Sequence, residues 1–213
     1  MTQEVMYSDQ LYELVEEVIG RTARIERPLV IALDGPSGAG KSTVAEALKA
    51  YLEVAVIPLD DFFAANIPDS KWDAFTIEER RENVFQWDRL RVECIQPLLE
   101  GSLARWRAFD FEAGLQEDGT YLMKKEGEER CPANVILIEG AYSASPELVD
   151  LIDMTVLVII PKEKRQIRLR ARDGEEFSKQ WLLRWESVEE YYFNQVRPME
   201  YYDFVLAGDY QGT

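Results

Sequence analysis

Short apolar runs alternate along the chain with segments of helical periodicity. The runs cover residues 29–33, 54–59, 135–138, 155–160 and 203–206. In the third and fourth runs the apolar residues are continuous rather than alternating with polar ones, which is typical of strands buried on both faces. This order predicts an α/β fold in which a central parallel sheet carries helices on both faces.

Two segments add helices at the ends of this alternation. Apolar residues at helical spacing near the N-terminus predict an amphipathic helix over about 8–24. Towards the C-terminus, residues 181–193 have the pattern of a helix with an aromatic stripe. Because aromatic stripes at helical spacing usually pack inwards, we expect this stripe to belong to the core.

A long segment, about 62–132, separates the second and third predicted strands. It contains a predicted helix from Thr76 to Leu99 and a polar stretch, 112–130, that predicts a hairpin or loop around 120–123. The segment is too long for a simple crossover. Since ligands bind beyond the carboxyl ends of parallel strands, we expect this insertion to hold a second ligand.

The composition describes one domain without a membrane or export signal. The 213 residues are 46% hydrophobic, enough for a sizeable core in a single domain spanning 1–213. The longest uninterrupted apolar run, 156–160, is far too short to cross a bilayer. Cys94 and Cys131 are isolated, which predicts neither a disulfide framework nor a metal site and fits the cytoplasm.

The charge balance argues against a nucleic-acid partner. The net charge is −16 and the chain has no histidine, so its general surface would repel a polyanion. Positive charge is instead concentrated in one short segment, which a solvated helix would also explain. Its basic residues are Lys162, Lys164, Arg165, Arg168, Arg170 and Arg172.

A phosphate-binding loop follows the first apolar run directly. Residues 35–42 read Gly-Pro-Ser-Gly-Ala-Gly-Lys-Ser and fit the pattern G-x-x-x-x-G-K-[ST]. We expect Lys41 to reach the β and γ phosphates of ATP, and the Ser42 hydroxyl to bind Mg²⁺. An ordinary glycine-rich turn is the alternative. The predicted nucleotide-binding residues are Gly35, Pro36, Ser37, Gly38, Ala39, Gly40, Lys41, Ser42 and Thr43.

Acidic residues end two of the predicted strands. Asp60 and Asp61 follow the second strand, and Glu139 follows the third. One aspartate can orient an attacking hydroxyl, and Glu139 can bind Mg²⁺ directly or through water. Carboxylates that merely cap a turn or end a strand are the alternative. Adjacent residues point in opposite directions, so we expect Asp60 and Asp61 to have different roles.

Several motifs together resemble the uridine kinase and phosphoribulokinase group of P-loop kinases. They are the segment 34–43, Asp-Asp-Phe-Phe at 60–63, Phe-Asp-Phe at 109–111, Ile-Glu-Gly at 138–140, the spacing of Arg165, Arg168 and Arg172-Asp173, and Asp-Phe-Val at 203–205. The match covers nearly the whole chain. The resemblance implies a P-loop NTPase three-layer sandwich with an acceptor-binding insertion, about 62–132, and a small lid, about 168–180.

The resemblance also implies roles for individual residues. Asp60 would be the general base, and Ser42, Asp60 and Glu139 would surround Mg²⁺. Arg168 and Arg172 would belong to a mobile lid over the phosphates, which completes the predicted catalytic set with Lys41. Arg172-Asp173-Gly174 is a credible hinge, since glycine permits unusual backbone angles. The predicted acceptor site comprises Asp61, Phe63, Gln86, Arg107, Phe109 and Phe111.

The departures from the group concern the acceptor. Uridine kinases of this pattern carry a histidine after the Phe-Asp-Phe-like segment, whereas this chain has none, and Gln86 stands where they carry an aspartate. These differences put uridine itself in doubt. Arg105 and Arg107 suit an acceptor that already carries an anionic group, or they are surface charges on the insertion.

The sequence therefore predicts an ATP-dependent kinase of a small hydroxylated metabolite, with a nucleoside as the first candidate. A nucleoside monophosphate kinase resembling cytidylate kinases is the nearest enzymatic alternative. A regulatory nucleotide-binding protein without an acceptor is another, although the chain lacks the Asn-Lys-x-Asp motif of GTPase switches. The expected cofactors are ATP and Mg²⁺, no membrane or nucleic-acid partner is expected, and homo-oligomerisation stays open.

Overall fold

The computed structural model describes residues 4–207. Within this range a parallel sheet forms the centre of the molecule, with strands β1 (Leu29–Asp34), β2 (Val54–Pro58), β5 (Val135–Glu139), β6 (Met154–Ile159) and β7 (Phe204–Ala207). Their order is β2-β5-β1-β6-β7, so β1 lies between β5 and β6. The predicted central parallel sheet is confirmed.

Alternate residues of β1 face two separate hydrophobic layers. Leu29, Ile31 and Leu33 pack towards helices α1 (Glu4–Thr22) and α2 (Lys41–Lys49). Val30 packs on the opposite face, against residues of the insertion and of the C-terminal helices. All six residues of β1 are buried. Burial on both faces explains why this strand is continuously apolar in the sequence.

The insertion begins with short helices, and the single helix predicted from Thr76 to Leu99 is wrong. After α3 (Asp69–Trp72), helix α4 (Ile77–Asn83) starts at a capping box. The chain then turns out of the helix and resumes as α5 (Trp87–Arg89), a π-helical turn (Leu90–Ile95) and α6 (Gln96–Leu99).

Backbone pairing with the segment after β2 causes this interruption. Ala64 N donates to Val84 O at 2.9 Å, and Gln86 N donates to Phe62 O at 2.8 Å. Val84 and Phe85, both within the insertion, are thereby buried in the core. Burying these two apolar side chains outweighs the continuation of the helical pattern.

An antiparallel hairpin, β3 (Ala104–Phe109) and β4 (Met123–Arg130), completes the insertion. The sequence predicts a hairpin or loop around 120–123, but the structure pairs β4 with β3 and leaves 110–122 as the connecting loop. Trp106 is buried, whereas Arg105 and Arg107 on the opposite face of β3 are exposed. This alternation is what a half-buried strand requires.

Two helices near the C-terminus cover the carboxyl end of the sheet. They are α7 (Lys162–Asp173) and α8 (Glu175–Tyr191), joined at Gly174, whose φ of 83° lies in the left-handed region. Among residues 4–207, none of the helices is both long and apolar enough to span a membrane.

Candidate active site

The phosphate-binding loop connects β1 to α2 through three glycines with positive φ. The φ angles are 147° at Gly35, 79° at Gly38 and 103° at Gly40. A Cβ atom at Gly35 would lie 2.3 Å from the Val158 carbonyl oxygen, so only glycine fits there. Lys41 begins α2, and its Nζ donates to Gly35 O at 2.9 Å. The loop and the helix N-terminus together form an anion-binding cradle.

Asp60 and Glu139 lie at the carboxyl ends of the neighbouring strands β2 and β5. Asp60 is in a 3₁₀ turn, Leu59–Phe62, and its side chain is open to the cleft although protein surrounds it. The Glu139 carboxylate accepts a hydrogen bond from the Ser42 hydroxyl. Burial raises the pKa of both carboxyl groups, and the positive charge of Lys41 partly offsets this rise.

Asp61 points away from its neighbour and faces the hairpin. Its Oδ2 accepts a hydrogen bond from Trp106 Nε1 at 2.8 Å. Burial raises the pKa of Asp61 as well, while the bond from Trp106 lowers it. The two aspartates therefore have the different surroundings that the sequence predicts. The structure places Asp60 beside the phosphate-binding loop and Asp61 outside that cleft.

Helices α7 and α8 contact the loop directly. Arg165 donates to Ser37 O at 3.0 Å, and Arg168 contacts Ala39 O at 3.4 Å. Arg172 lies close enough to Asp60 to lower the pKa of that carboxyl group. Three of the four arginines in the basic segment are thus brought to the phosphate-binding loop and the strand ends, as a charge-stabilising role requires.

Glu189 on α8 contacts the same part of the loop as Arg165. Its Oε1 accepts hydrogen bonds from Ser37 N at 2.9 Å and from the Ser37 hydroxyl. Oε2 lies 3.3 Å from Arg165 Nη1. A carboxylate from α8 therefore binds both the amide and the hydroxyl of a loop residue. Glu189 was not predicted as a site residue, because 152 residues separate it from Ser37 and in the sequence it resembles any charge on a helix.

A cavity of about 680 Å³ joins the loop to an aromatic wall. Lys41, Ser42, Asp60 and Glu139 are among its lining residues. The aromatic side chains that line the cavity form the aromatic wall: Phe63, Phe85, Phe111, Tyr142 and Trp185. Phe63 and Phe111, which the sequence predicts as acceptor residues, are thus brought to the same cavity as the phosphate-binding loop.

Phe109 lies behind this wall and lines a second, adjoining cavity of about 560 Å³. Its ring centroid is 4.5 Å from that of Phe111 and 5.0 Å from that of Phe63. Both cavities share Phe63, Phe111 and Trp185. At the far end, Arg184 forms ion pairs with Asp69 and Asp73.

Gln86 and Arg107 are not brought to the cleft. They line a separate open groove of about 1000 Å³ on the outer side of the insertion. Gln86 donates to Asn66 Oδ1 at 2.9 Å, and Arg107 donates to Lys124 O at 2.8 Å. The interruption between α4 and α5 directs Phe85 into the cleft and Gln86 outwards.

Asp34, the last residue of β1, supports the loop from beneath. It is fully buried and accepts five hydrogen bonds. The donors are Gly35 N, Tyr142 N, Ala144 N, Tyr192 Oη and Tyr202 Oη. Burial raises the pKa of Asp34, and these hydrogen bonds partly offset the rise. An acidic residue ending a wholly apolar strand was the available sequence signal for this role.

A phosphate-binding loop at the carboxyl edge of a parallel sheet, with carboxylates and arginines converging on it, defines a P-loop phosphotransferase. The family described as "Phosphoribulokinase / Uridine kinase family" matches residues 30–205. The chain belongs to this family and is an ATP-dependent phosphotransferase.

Individual relatives agree with this assignment. A uridine kinase of Chlamydia pneumoniae is 27% identical over 202 residues, which cover 86% of this chain and 83% of the relative. A uridine kinase of Streptococcus gordonii is 28% identical over 188 residues, covering 84% and 81%. The structure of "a Possible Uridine Kinase from Bacillus stearothermophilus" superposes with a TM-score of 0.65 at 18% identity, covering 94% of this chain and 99% of that one. This last similarity concerns the fold alone.

Proposed function

We propose that this protein transfers the γ-phosphoryl group of ATP, with Mg²⁺, to a hydroxyl group of a nucleoside or a related small metabolite. The observation that carries the proposal is one cavity lined both by Lys41 and Asp60 and by the aromatic wall. Donor and acceptor would meet beside the Asp60 carboxylate. The ATP requirement also fits the cytoplasmic location that the sequence predicts.

The residues at the donor end suit a magnesium–nucleotide complex. Mg²⁺ in such sites is bound by one or two carboxylates together with substrate phosphates. Here Ser42, Asp60 and Glu139 would hold it, and their existing Ser42–Glu139 hydrogen bond already brings two of them together. Among the described residues, no cluster of three or more His, Cys, Asp or Glu side chains could hold a metal alone. Bound Mg²⁺ would neutralise charge on the phosphates.

Asp60 is the residue that we assign as general base. Its carboxylate is open to the cleft, whereas Asp61 is engaged by Trp106. Burial raises the Asp60 pKa, which makes the carboxylate a better proton acceptor than an exposed one. It would take the proton of the attacking hydroxyl as the bond to phosphorus forms.

The aromatic wall favours a planar or apolar portion in the acceptor. Phe63, Phe85, Phe111 and Trp185 offer ring faces and edges on which a nucleobase could stack. Both curated relatives described above are uridine kinases, which supports a nucleoside. Because the chain has no histidine, other side chains would have to distinguish one nucleobase from another.

We further propose that residues 168–180 act as the predicted lid. Arg168 and Arg172 would stabilise charge on the transferred group, and closure would exclude water from the reaction. Gly174, with its left-handed φ, is the hinge candidate between α7 and α8. The side chains of residues 173, 175–178, 180 and 181 lie outside the described part of the chain.

The test is a transfer assay with Mg-ATP and a panel of nucleosides, nucleoside monophosphates and small phosphorylated sugars. ADP release and the mass of each acceptor are followed, and one acceptor should gain one phosphoryl group. Asp60→Asn should lower the transfer rate by about 10²-fold or more and keep ATP binding, because only the proton acceptor is lost. The matched Asp61→Asn should lose far less.

The other outcomes of this assay are informative. A product formed only from a nucleoside monophosphate would replace the proposal with the alternative kinase class. Tight ATP binding without any product would favour a regulatory nucleotide-binding protein. Unchanged transfer by Asp60→Asn would remove Asp60 from the role of base.

A further inference from the structure

Tyr142 is held in a strained backbone conformation at the edge of the cleft. Its φ is 72°, and among residues 4–207 it is the only residue other than glycine with a positive φ. A large side chain adopts this region only when the surroundings enforce it. Here Asp34 accepts hydrogen bonds from Tyr142 N at 2.9 Å and from Ala144 N at 3.1 Å. The hydrogen bonds to Asp34 thus hold the Tyr142 backbone in an unfavourable conformation.

The Tyr142 ring is packed, but its hydroxyl has no partner. The residue is 3% exposed, and its ring centroid lies 4.8 Å from that of Tyr192 and 6.3 Å from that of Phe85. The hydroxyl is buried and makes no hydrogen bond within the described residues. Phenylalanine would fill the same space without leaving a buried polar group unpaired. Packing alone therefore does not explain the hydroxyl.

Tyr142 belongs to the lining of the proposed active-site cavity, and its surroundings keep the hydroxyl protonated. Tyr142 lines the cavity that contains Asp60 and Glu189. Burial, together with the negative charges of Glu189, Asp34 and Asp60, raises the Tyr142 pKa well above its ordinary value. The group is consequently a hydrogen-bond donor throughout the working pH range, beside the residue proposed as general base.

We propose that the Tyr142 hydroxyl donates a hydrogen bond to an oxygen of the phosphate acceptor, next to the hydroxyl group that is phosphorylated. The inference rests on the proposed function and adds a requirement to it. The acceptor must carry a second oxygen near its reacting hydroxyl. Because Asp60 and Glu189 are both acidic, a neutral oxygen, such as a second hydroxyl or a carbonyl, suits the position better than a carboxylate.

Tyr142→Phe tests the inference, because it removes the hydroxyl and keeps the ring. With the acceptor identified by the panel, kcat/KM for that acceptor should fall by about 10- to 100-fold, since the substrate oxygen loses its donor. The KM for ATP should change by less than about twofold. An acceptor analogue that lacks the second oxygen should be used equally well by both proteins. Unchanged kcat/KM for the acceptor, or a loss confined to ATP, would overturn the inference.

A melting comparison without any ligand separates this role from a structural one. Tyr142→Phe should melt at the wild-type temperature or above it, because the hydroxyl it removes is unpaired. Tyr192→Phe is the matched control: it is also a fully buried tyrosine, but its hydroxyl donates to Asp34 Oδ2 at 2.8 Å. This control should melt at a lower temperature.

The kinetic comparison and the melting comparison can each contradict the inference independently of the other. A Tyr142→Phe protein that melts as far below wild type as Tyr192→Phe would show that the hydroxyl has a partner inside the protein, and would overturn the inference whatever the acceptor is. If the wild-type protein phosphorylates nothing in the panel, the proposed function fails, while the melting comparison still decides whether the hydroxyl is unpaired.

Discussion

Replacing Asp34 with asparagine should destabilise the protein strongly, although the two side chains have almost the same volume. Asp34 is fully buried, and both of its oxygens act only as acceptors. Oδ1 accepts from Gly35 N at 2.7 Å and Tyr142 N at 2.9 Å, and Oδ2 accepts from three further donors. An asparagine NH₂ group placed at either position faces at least two donors.

The magnitude follows from these contacts. At least two hydrogen bonds are lost, and each buried donor left unpaired costs about 1–3 kcal/mol. Removal of a buried charge recovers part of this cost, because a buried carboxylate is poorly solvated. We expect Asp34→Asn to lower the free energy of unfolding by about 2–4 kcal/mol. Since Gly35 begins the phosphate-binding loop, ATP binding should weaken as well.

Urea denaturation followed by tryptophan fluorescence measures the effect, with Tyr202→Phe as a graded control. Tyr202 Oη is one of the five donors, at 2.9 Å from Asp34 Oδ2, so its removal should cost only about 1 kcal/mol. If Asp34→Asn stays within about 0.5 kcal/mol of the wild type, or is no worse than Tyr202→Phe, the reasoning about a shared acceptor is refuted.

Three more predictions concern the loop, the lid and the carboxylates. Gly35→Ala should lower the free energy of unfolding by about 2 kcal/mol or more, since its Cβ would meet Val158 O; unchanged urea denaturation would contradict this. Arg172→Ala should lower kcat by more than about 10-fold and change ATP affinity by less than about threefold, whereas equal losses would indicate a binding role only. Burial raises the pKa of Asp60 and Glu139 in the folded metal-free protein, so the stability that their protonated forms contribute should be lost as pH rises through those raised values. Glu139→Gln should weaken this pH dependence of the free energy of unfolding, measured by urea denaturation at several pH values. An unaltered pH profile would argue against the prediction.

The strands and the phosphate-binding loop were predictable because their signals are local. Continuous apolar runs mark strands covered on both faces, and the glycine pattern of residues 35–42 is set by the backbone angles of the loop itself. The interruption at 84–86 was not predictable from periodicity. It depends on pairing with residues 62–64, which only the folded chain brings alongside.

The residues that complete the site are separated widely along the chain. Glu189 meets Ser37, and Tyr192 meets Asp34, at sequence distances of 152 and 158 residues. In the sequence, each looks like an ordinary charge or aromatic residue on a helix. Gln86 was assigned to the acceptor site by its resemblance to a family position, but it lies in the outer groove. The interruption of the helix after α4 turns Gln86 to the other face of the insertion, while the adjacent Phe85 lines the cleft.

One face of helix α8 contributes side chains both to the aromatic wall and to the contact with the phosphate-binding loop. Trp185 lines the aromatic wall, Glu189 binds Ser37 of the phosphate-binding loop, and Tyr192, just beyond the helix, binds Asp34 beneath that loop. Residues spaced by three or four positions lie on the same side of a helix, so these side chains project towards the same region of the protein. A phosphate that takes the Ser37 amide must displace Glu189 from it. Because Trp185 and Glu189 are one helical turn apart, α8 supplies one side chain to the aromatic wall and another to the phosphate-binding loop.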